Sequence, residues 1–97
     1  MYIVREVFNT KPGKAKELVK KFKQAAPHFE KDGLTKMRIM TDMVSTYWTV
    51  VMEFEVNDLG EFANAVRGGT SQPEVAKIMD GYMDLVQGGH REIFVVE

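Results

Sequence analysis

The sequence predicts an α+β domain in which four antiparallel strands carry their helices on one face. Three observations lead there. Alternating apolar and polar residues mark strands near 2–8, 34–43, 46–56 and 90–97. Apolar stripes at helical spacing lie between the first and second strands and again between the third and fourth. The breaks between them are short and rich in Gly, Pro, Asn and Asp, as turns require. A chain of 97 residues has room for one such domain, residues 1–97.

In the first strand Tyr2, Val4 and Phe8 share one face and Ile3 and Val7 the other, so both sides are covered. Asn9 to Gly13 breaks the chain, and Ala15, Leu18, Val19, Phe22, Ala26 and Phe29 then fall on one helical stripe. This first helix runs from about Gly13 to Ala26. Pro27 ends it or kinks it into a last turn, and Asp32-Gly33 closes the element. Met37, Ile39 and Met43 alternate with Lys36, Arg38 and Asp42 in the second strand, and Ser45 marks a tight connection. Trp48, Val50, Met52, Phe54 and Val56 form the apolar parity of the third, which completes a hairpin. Asn57 and Asp58 are capping types ahead of a short helix through Leu59, Phe62 and Val66, stopping at Gly68-Gly69. Ser71 with Glu74 is a capping-box pattern, and Val75, Ile78, Met79, Tyr82, Leu85 and Val86 continue as a stripe up to Gly88-Gly89. His90 to Glu97 is the last strand. The order strand, helix, strand, strand, helix pair, strand is the split βαβ, ferredoxin-like arrangement.

Composition excludes several functions. Hydrophobic residues at 44%, charged residues at 28% and a net charge of −1 describe a soluble globular chain, not a basic nucleic-acid binder. With no cysteine, disulfides, thiol nucleophiles and cysteine-ligated metals are absent, and the two histidines form no His-x-x-x-His pair. No metal site and no cofactor are expected. No basic segment with an apolar run precedes Tyr2, and no apolar run reaches the roughly 20 residues of a membrane span. A cytoplasmic protein that avoids membranes is the expectation. Charge is uneven: residues 1–38 hold ten Lys/Arg and four Asp/Glu, residues 39–97 three and ten. The Asn9–Lys14 break places Lys11 and Lys14 by a helix start but lacks the glycine spacing of a phosphate loop, and Lys16, Lys20, Lys21 and Lys23 continue as a solvated face. Single-stranded RNA on the sheet is disfavoured, because Tyr47 and Trp48 have opposite parity and Glu53 and Glu55 would repel phosphates.

One face of a four-stranded sheet should be polar if helices cover only the other, yet Phe8, Val51, Val95 and Val96 put large apolar groups on both. A second copy laid sheet against sheet solves this, so a homodimer is expected. Charges in such covered strands, among Arg5 or Glu6, Arg38, Glu53, Glu55 and Arg91 or Glu92, must be paired. Arg38 with Glu53 or Glu55 across the hairpin is a structural ion pair, whereas an unpaired Arg38 would suit an acidic ligand.

Candidate chemistry is sparse. His28, after Pro27 and beside Phe29, where it would face a pocket mouth, and Asn9, at the strand end, are the candidates for a catalytic polar group, and for His28 residue type alone carries the case. Trp48, Tyr82, Arg38 and His90 are the candidate ligand contacts, against which stand a core stripe for Trp48 and a surface or interface place for His90 beside Arg91 and Glu92.

Arg5-Glu6 in the first strand, the Lys11-Pro12-Gly13-Lys14 break before a Lys-rich helix, and the run Gly89-His90-Arg91-Glu92-Ile93 resemble the dimeric α/β-barrel superfamily. Small NIPSNAP-like and antibiotic-biosynthesis-monooxygenase-like proteins are the nearest in character. The resemblance implies a sheet-to-sheet dimeric α/β barrel, but it does not choose an activity, since that superfamily holds cofactor-free monooxygenases, haem-degrading enzymes, muconolactone isomerases and proteins of no known activity. Asn9, Trp48 and His28 supply the residue types used by the haem-degrading group, but the surrounding sequence does not match and the roles are not carried over. A monooxygenase here would orient a phenolic substrate between sheet and helices, helped by Trp48, Tyr82 and an anchor such as Asn9 or His28. The leading expectation is a homodimer that binds a small apolar or aromatic molecule between sheet and helices. The alternatives are a cofactor-independent monooxygenase or isomerase on an aromatic or lactone substrate, and a structural dimer without a ligand.

Overall fold

Strand β1 (Tyr2–Thr10) is flanked by β3 (Thr49–Val56) and β4 (Val86–Val95), with β2 (Thr35–Thr41) outside β3, giving the order β2-β3-β1-β4 with every neighbouring pair antiparallel. This computed structural model describes residues 1–67 and 72–97. Helix α1 (Ala15–Lys31) follows β1, and α2 (Leu59–Arg67), α3 (Pro73–Ile78) and a single 3-10 turn (Tyr82–Leu85) lie between β3 and β4. The α+β ferredoxin-like arrangement expected from the sequence is the fold.

Parity decides what each face carries. Val4 of β1 and Val50, Met52, Phe54 and Val56 of β3 point to the helices, where Leu18 and Phe22 of α1, Phe62 of α2 and Leu85 close one core. Leu18, Phe22 and Ala25 are one turn apart, so a single stripe of α1 is buried and its lysines stay outside. Phe22 packs on Phe8 with ring centres 5.3 Å apart, and Phe62 on Phe54 at 5.8 Å. None of the described helices lies over the opposite parity, which forms the open face of the sheet.

Three local readings of the sequence differ from the structure, and one left open is decided by it. Of the two courses open at Pro27, helix α1 takes the one that continues, running to Lys31, because the proline removes one backbone donor while Phe29 beyond it still gains contact with the core. Its end is set by Gly33, at φ 90°, with the Leu34 N–H donating to the Phe29 carbonyl at 3.2 Å. Strand β3 begins at Thr49 rather than Thr46, and Trp48, at φ 63°, is 43% exposed instead of heading the core stripe. The helical stripe expected to reach Val86 stops at Ile78, where Gly81 at φ 79° turns the chain into the 3-10 segment. Strand β4 accordingly starts at Val86, four residues before His90. Asp58 caps α2, its Oδ1 accepting from the Glu61 N–H at 3.0 Å. The helix stop at Gly68-Gly69 and the Ser71 cap fall outside the described residues.

Gly89 is held by a close approach: a Cβ there would lie 2.2 Å from the Val7 carbonyl oxygen. On β2, Thr35 faces Glu55 and Arg38 faces Glu53, so β2 carries one extra residue, and Lys36 takes φ 51° to accommodate it.

Candidate functional site

Two acidic–basic constellations occupy opposite faces of the sheet. On the helix side, Glu6 interrupts the apolar face formed by Tyr2, Val4 and Phe8, and antiparallel register places Arg91 of β4 opposite it. Arg91 Nη2 donates to Glu6 Oε2 at 2.9 Å and Nε donates to Oε1, a two-pronged pair that keeps the guanidinium protonated well above its ordinary range. The Glu6 side chain is only 14% exposed. Above the pair, the guanidinium carbon lies 5.3 Å from the centre of the Phe62 ring.

This pair forms the polar wall of a cleft of about 410 Å³. The floor is Met52 and Phe54 of β3, Phe29 and Leu34 supply one side, and Phe62, Ala65 and Val66 of α2 supply the roof, with Asp32 at the margin. Asp32 is already engaged, its Oδ2 accepting from Gln72 Nε2 at 2.8 Å. An apolar body with one oxygen fits such a space. Two of the five guanidinium N–H groups of Arg91 are spent on Glu6, which leaves donors for a ligand oxygen, and the Glu6 oxygens retain lone pairs for a ligand hydroxyl. On the far side of the same pair lies a second depression of about 470 Å³, which Tyr82, His90 and the bare backbone of Gly88 and Gly89 also line.

On the open face, Glu53 is 6% exposed although none of the described helices covers it. Arg5 Nε donates to Glu53 Oε2 at 2.7 Å and Arg38 Nη2 donates to Oε1, so the two arginines themselves bury the carboxylate. The hydrogen bonds from Arg38 and then Arg5 hold the Glu53 carboxyl below its usual range. Arg5 also approaches Glu92 at 3.9 Å and lies 5.4 Å from the Phe94 ring centre.

Of the residues singled out from sequence, Tyr82 and His90 come together in the second depression, and His90 Nε2 also contacts Glu92 at 3.1 Å on the open face. Arg38 is the ion-pair partner of Glu53, in keeping with the structural reading of that residue. Asn9 sits on the open face, donating to Thr49 Oγ1 at 3.4 Å. Trp48 stands at the head of β3, where its carbonyl accepts from the Thr10 N–H at 2.8 Å. His28 is 13 residues along α1 from Ala15, about 20 Å by helical rise, so it stands apart from Asn9 and Trp48. None of Asn9, His28 and Trp48 lines the cleft. Sequence reasoning passed over Glu6 and Arg91 as site residues; the available signal was an acidic residue at the one gap in an otherwise apolar strand parity. Among the described residues, no group of three or more His, Asp or Glu side chains is placed to hold a metal, and no helix is long and apolar enough to cross a membrane.

Solved structures supply the comparison. A NIPSNAP domain protein from Burkholderia xenovorans, itself uncharacterised, superposes with a TM-score of 0.80 at 14% identity, over 100% of this chain and 95% of that one. The chain shares their ferredoxin-like fold. A NIPSNAP family protein of unknown function from Agrobacterium tumefaciens gives 0.78 at 14% identity, over 97% of this chain and 86% of the other. A Deinococcus radiodurans protein provisionally described as an antibiotic biosynthesis monooxygenase gives 0.73 at 16%, over 100% and 93%. Similarity at this level of identity establishes the ferredoxin-like fold and leaves activity to the site. No protein-family model and no curated protein matches the chain.

Proposed function

We propose that the chain is a homodimeric binding protein that takes a small apolar or aromatic molecule, bearing an oxygen function, into the cleft between sheet and helices. The observation that carries this reading is the Glu6–Arg91 pair set into the wall of an otherwise apolar space. A structural ion pair would gain nothing from facing such a space, whereas a ligand gains both burial and a fixed polar anchor. Dimerisation is supported by the half-buried Ile3, Val7, Met40 and Val51 and the 49% exposed Phe94 on the open face. One chain exposes 6551 Å², against about 5,700 Å² for a folded monomer of this mass.

Native mass spectrometry of the freshly purified protein tests subunit count and any retained molecule together. Calorimetric titration with 2-naphthol and naphthalene-2-carboxylate then tests the cleft: one saturable site per chain is expected, and Ala65→Trp, which fills the space, should abolish it. Equal binding to wild type and Ala65→Trp would sink the reading.

A catalytic version is a cofactor-independent monooxygenase or isomerase on an aromatic or lactone substrate. It is favoured by Glu6, an anionic acceptor beside the space where an acidic hydroxyl would lie, and by the provisional monooxygenase description of the Deinococcus protein. Oxygen uptake with anthrone-like phenols separates the monooxygenase from simple binding, and conversion of a lactone to its isomer without oxygen uptake separates the isomerase.

A further inference from the structure

Helix α2 presents different residues to its two flanks. At about 3.6 residues per turn, Ala65 falls on one side of the ridge made by Phe62 and Val66, while Leu59, Ala63 and Arg67 fall on the other. The first flank roofs the cleft already described. The second meets the edge strand β4, where Arg91 and Ile93 share the helix-side parity. Between α2 and β4 lies a groove of about 260 Å³, walled by Leu59, Phe62, Ala63, Val66 and Ile93, with Arg67 and Arg91 as its charged residues.

Two observations define what this groove takes. The first is apolar surface left to water: Leu59, Val66 and Ile93 are 37%, 42% and 44% exposed, and they meet in this one place. The second is positive charge without an answer. Among the described residues Arg67 has no hydrogen bond or ion pair, and no acidic side chain lines the groove. Arg91 spends Nε and Nη2 on Glu6, side-on, so both N–H groups of Nη1 and the second of Nη2 have no protein acceptor among the described residues. One N–H from each of Nη1 and Nη2 run parallel at the end of the guanidinium, a spacing that matches the two oxygens of a carboxylate. With Glu6 set against Arg91, Arg67 leaves the site one positive charge in excess.

The cleft on the other side of the ridge has the opposite balance, since Glu6 and Asp32 line it together with Arg91 alone. An anion fares better in the groove. Its volume lies just under the roughly 300–1,000 Å³ of sites for drug-sized molecules, so the occupant is small. The Phe62 ring is already flanked by the Arg91 guanidinium and the Phe54 ring, which leaves aliphatic side chains to make the contact. An alkyl chain suits that lining.

We propose that the groove between α2 and β4 binds a medium-chain alkyl carboxylate, its chain against Leu59, Ala63 and Ile93 and its carboxylate held between Arg91 and Arg67. The groove takes this anion whether or not the cleft is filled, because the ridge of Phe62 and Val66 stands between the two.

The two flanks of α2 make the test direct. Ala63 lines the groove and not the cleft, and Ala65 the cleft and not the groove. Calorimetric titration of the full chain with octanoate, below micelle formation, should show one saturable site per chain, and 1-octanol should bind about tenfold more weakly or worse. Ala63→Trp should abolish octanoate binding and leave 2-naphthol binding unchanged, while Ala65→Trp should do the reverse. Arg67 is exposed and unpaired among the described residues, so Arg67→Glu should fold normally even if Ala63→Trp does not, and it should weaken octanoate about tenfold or more. Octanoate binding lost in Ala65→Trp but kept in Ala63→Trp would place the carboxylate in the cleft and overturn the proposal. Equal binding of octanoate and 1-octanol, indifference to Arg67→Glu, or no heat from wild type at millimolar octanoate would each overturn it as well. If wild type gives no heat and Arg67→Glu lowers the subunit count in light scattering, the groove is a contact between copies and not a ligand site.

Discussion

The Arg91 guanidinium rests 5.3 Å from the Phe62 ring centre and ties the edge strand β4 to helix α2. Phe62 is the one buried residue of α2, so this contact and the Phe54 ring beneath it hold the roof of the cleft. Phe62→Ala should cost about 3–4 kcal/mol, most of it lost packing and the rest the ring–cation contact. Phe62→Leu should recover more than half. Urea unfolding of the three proteins checks this, and a loss below about 1 kcal/mol for the alanine variant would show that α2 is anchored elsewhere.

Arg91→Met keeps the length over Phe62 but strips the counter-charge from Glu6. The loss should be about 1–2 kcal/mol, below the value for a fully buried pair because the Arg91 side chain is 40% exposed. Adding Glu6→Gln in the same chain should restore most of it, since the uncompensated charge is gone. A double-mutant cycle read by denaturation measures the coupling, and additive losses would show that the pair contributes no coupling to stability.

Glu53 sets the acid limb of stability. Its carboxyl is held low by hydrogen bonds from Arg38 and Arg5, so the folded chain takes up this proton at lower pH than the unfolded chain does. The pair therefore stabilises the fold above the ordinary glutamate value, about 4.3, and this contribution is lost as pH falls through the lower folded value. Glu53→Gln should cost about 1 kcal/mol at pH 7, discounted because both arginines are substantially exposed, and should flatten the stability curve below about pH 5. Parallel curves for wild type and variant from pH 7 to 3 would refute the assignment.

Two adjacent glycines should behave oppositely. Gly88→Ala meets nothing within 4 Å and should change stability by less than about 0.5 kcal/mol. Gly89→Ala drives its Cβ onto the backbone of β1, where no side chain can move aside, and should cost about 2 kcal/mol or more. Thermal melts of the two variants decide it, and equal shifts would be inconsistent with this packing.

The fold was legible because strand parity and helical stripes are properties of neighbouring residues. Tyr2, Val4 and Phe8, or Leu18 and Phe22, announce their faces without any tertiary information. The departures come where long-range contact overrides local preference. Pro27 stays inside α1 because Phe29 reaches the core, and Val86 to Gly89 become strand because the backbone of β1 is there to pair with them. The cleft was less legible. Glu6 and Arg91 are 85 residues apart, and only the register of β1 against β4 reveals that they face each other on the helix side. The pairing of Arg38 with Glu53 needed only the hairpin, which sequence periodicity already supplied.

Trp48, the single tryptophan, stands on the rim beside the exposed connection between β2 and β3 and away from the cleft. As an optical reporter it is therefore tuned to the wrong event for ligand binding and the right one for assembly. Its emission should start close to that of a water-exposed indole, stay unchanged as the cleft fills, and move to shorter wavelength as the protein is concentrated and a neighbouring copy shields the rim. A cleft probe has to be introduced on α2, where Ala65 and Val66 line the space, and the two fluorophores would then follow two separate equilibria in one molecule.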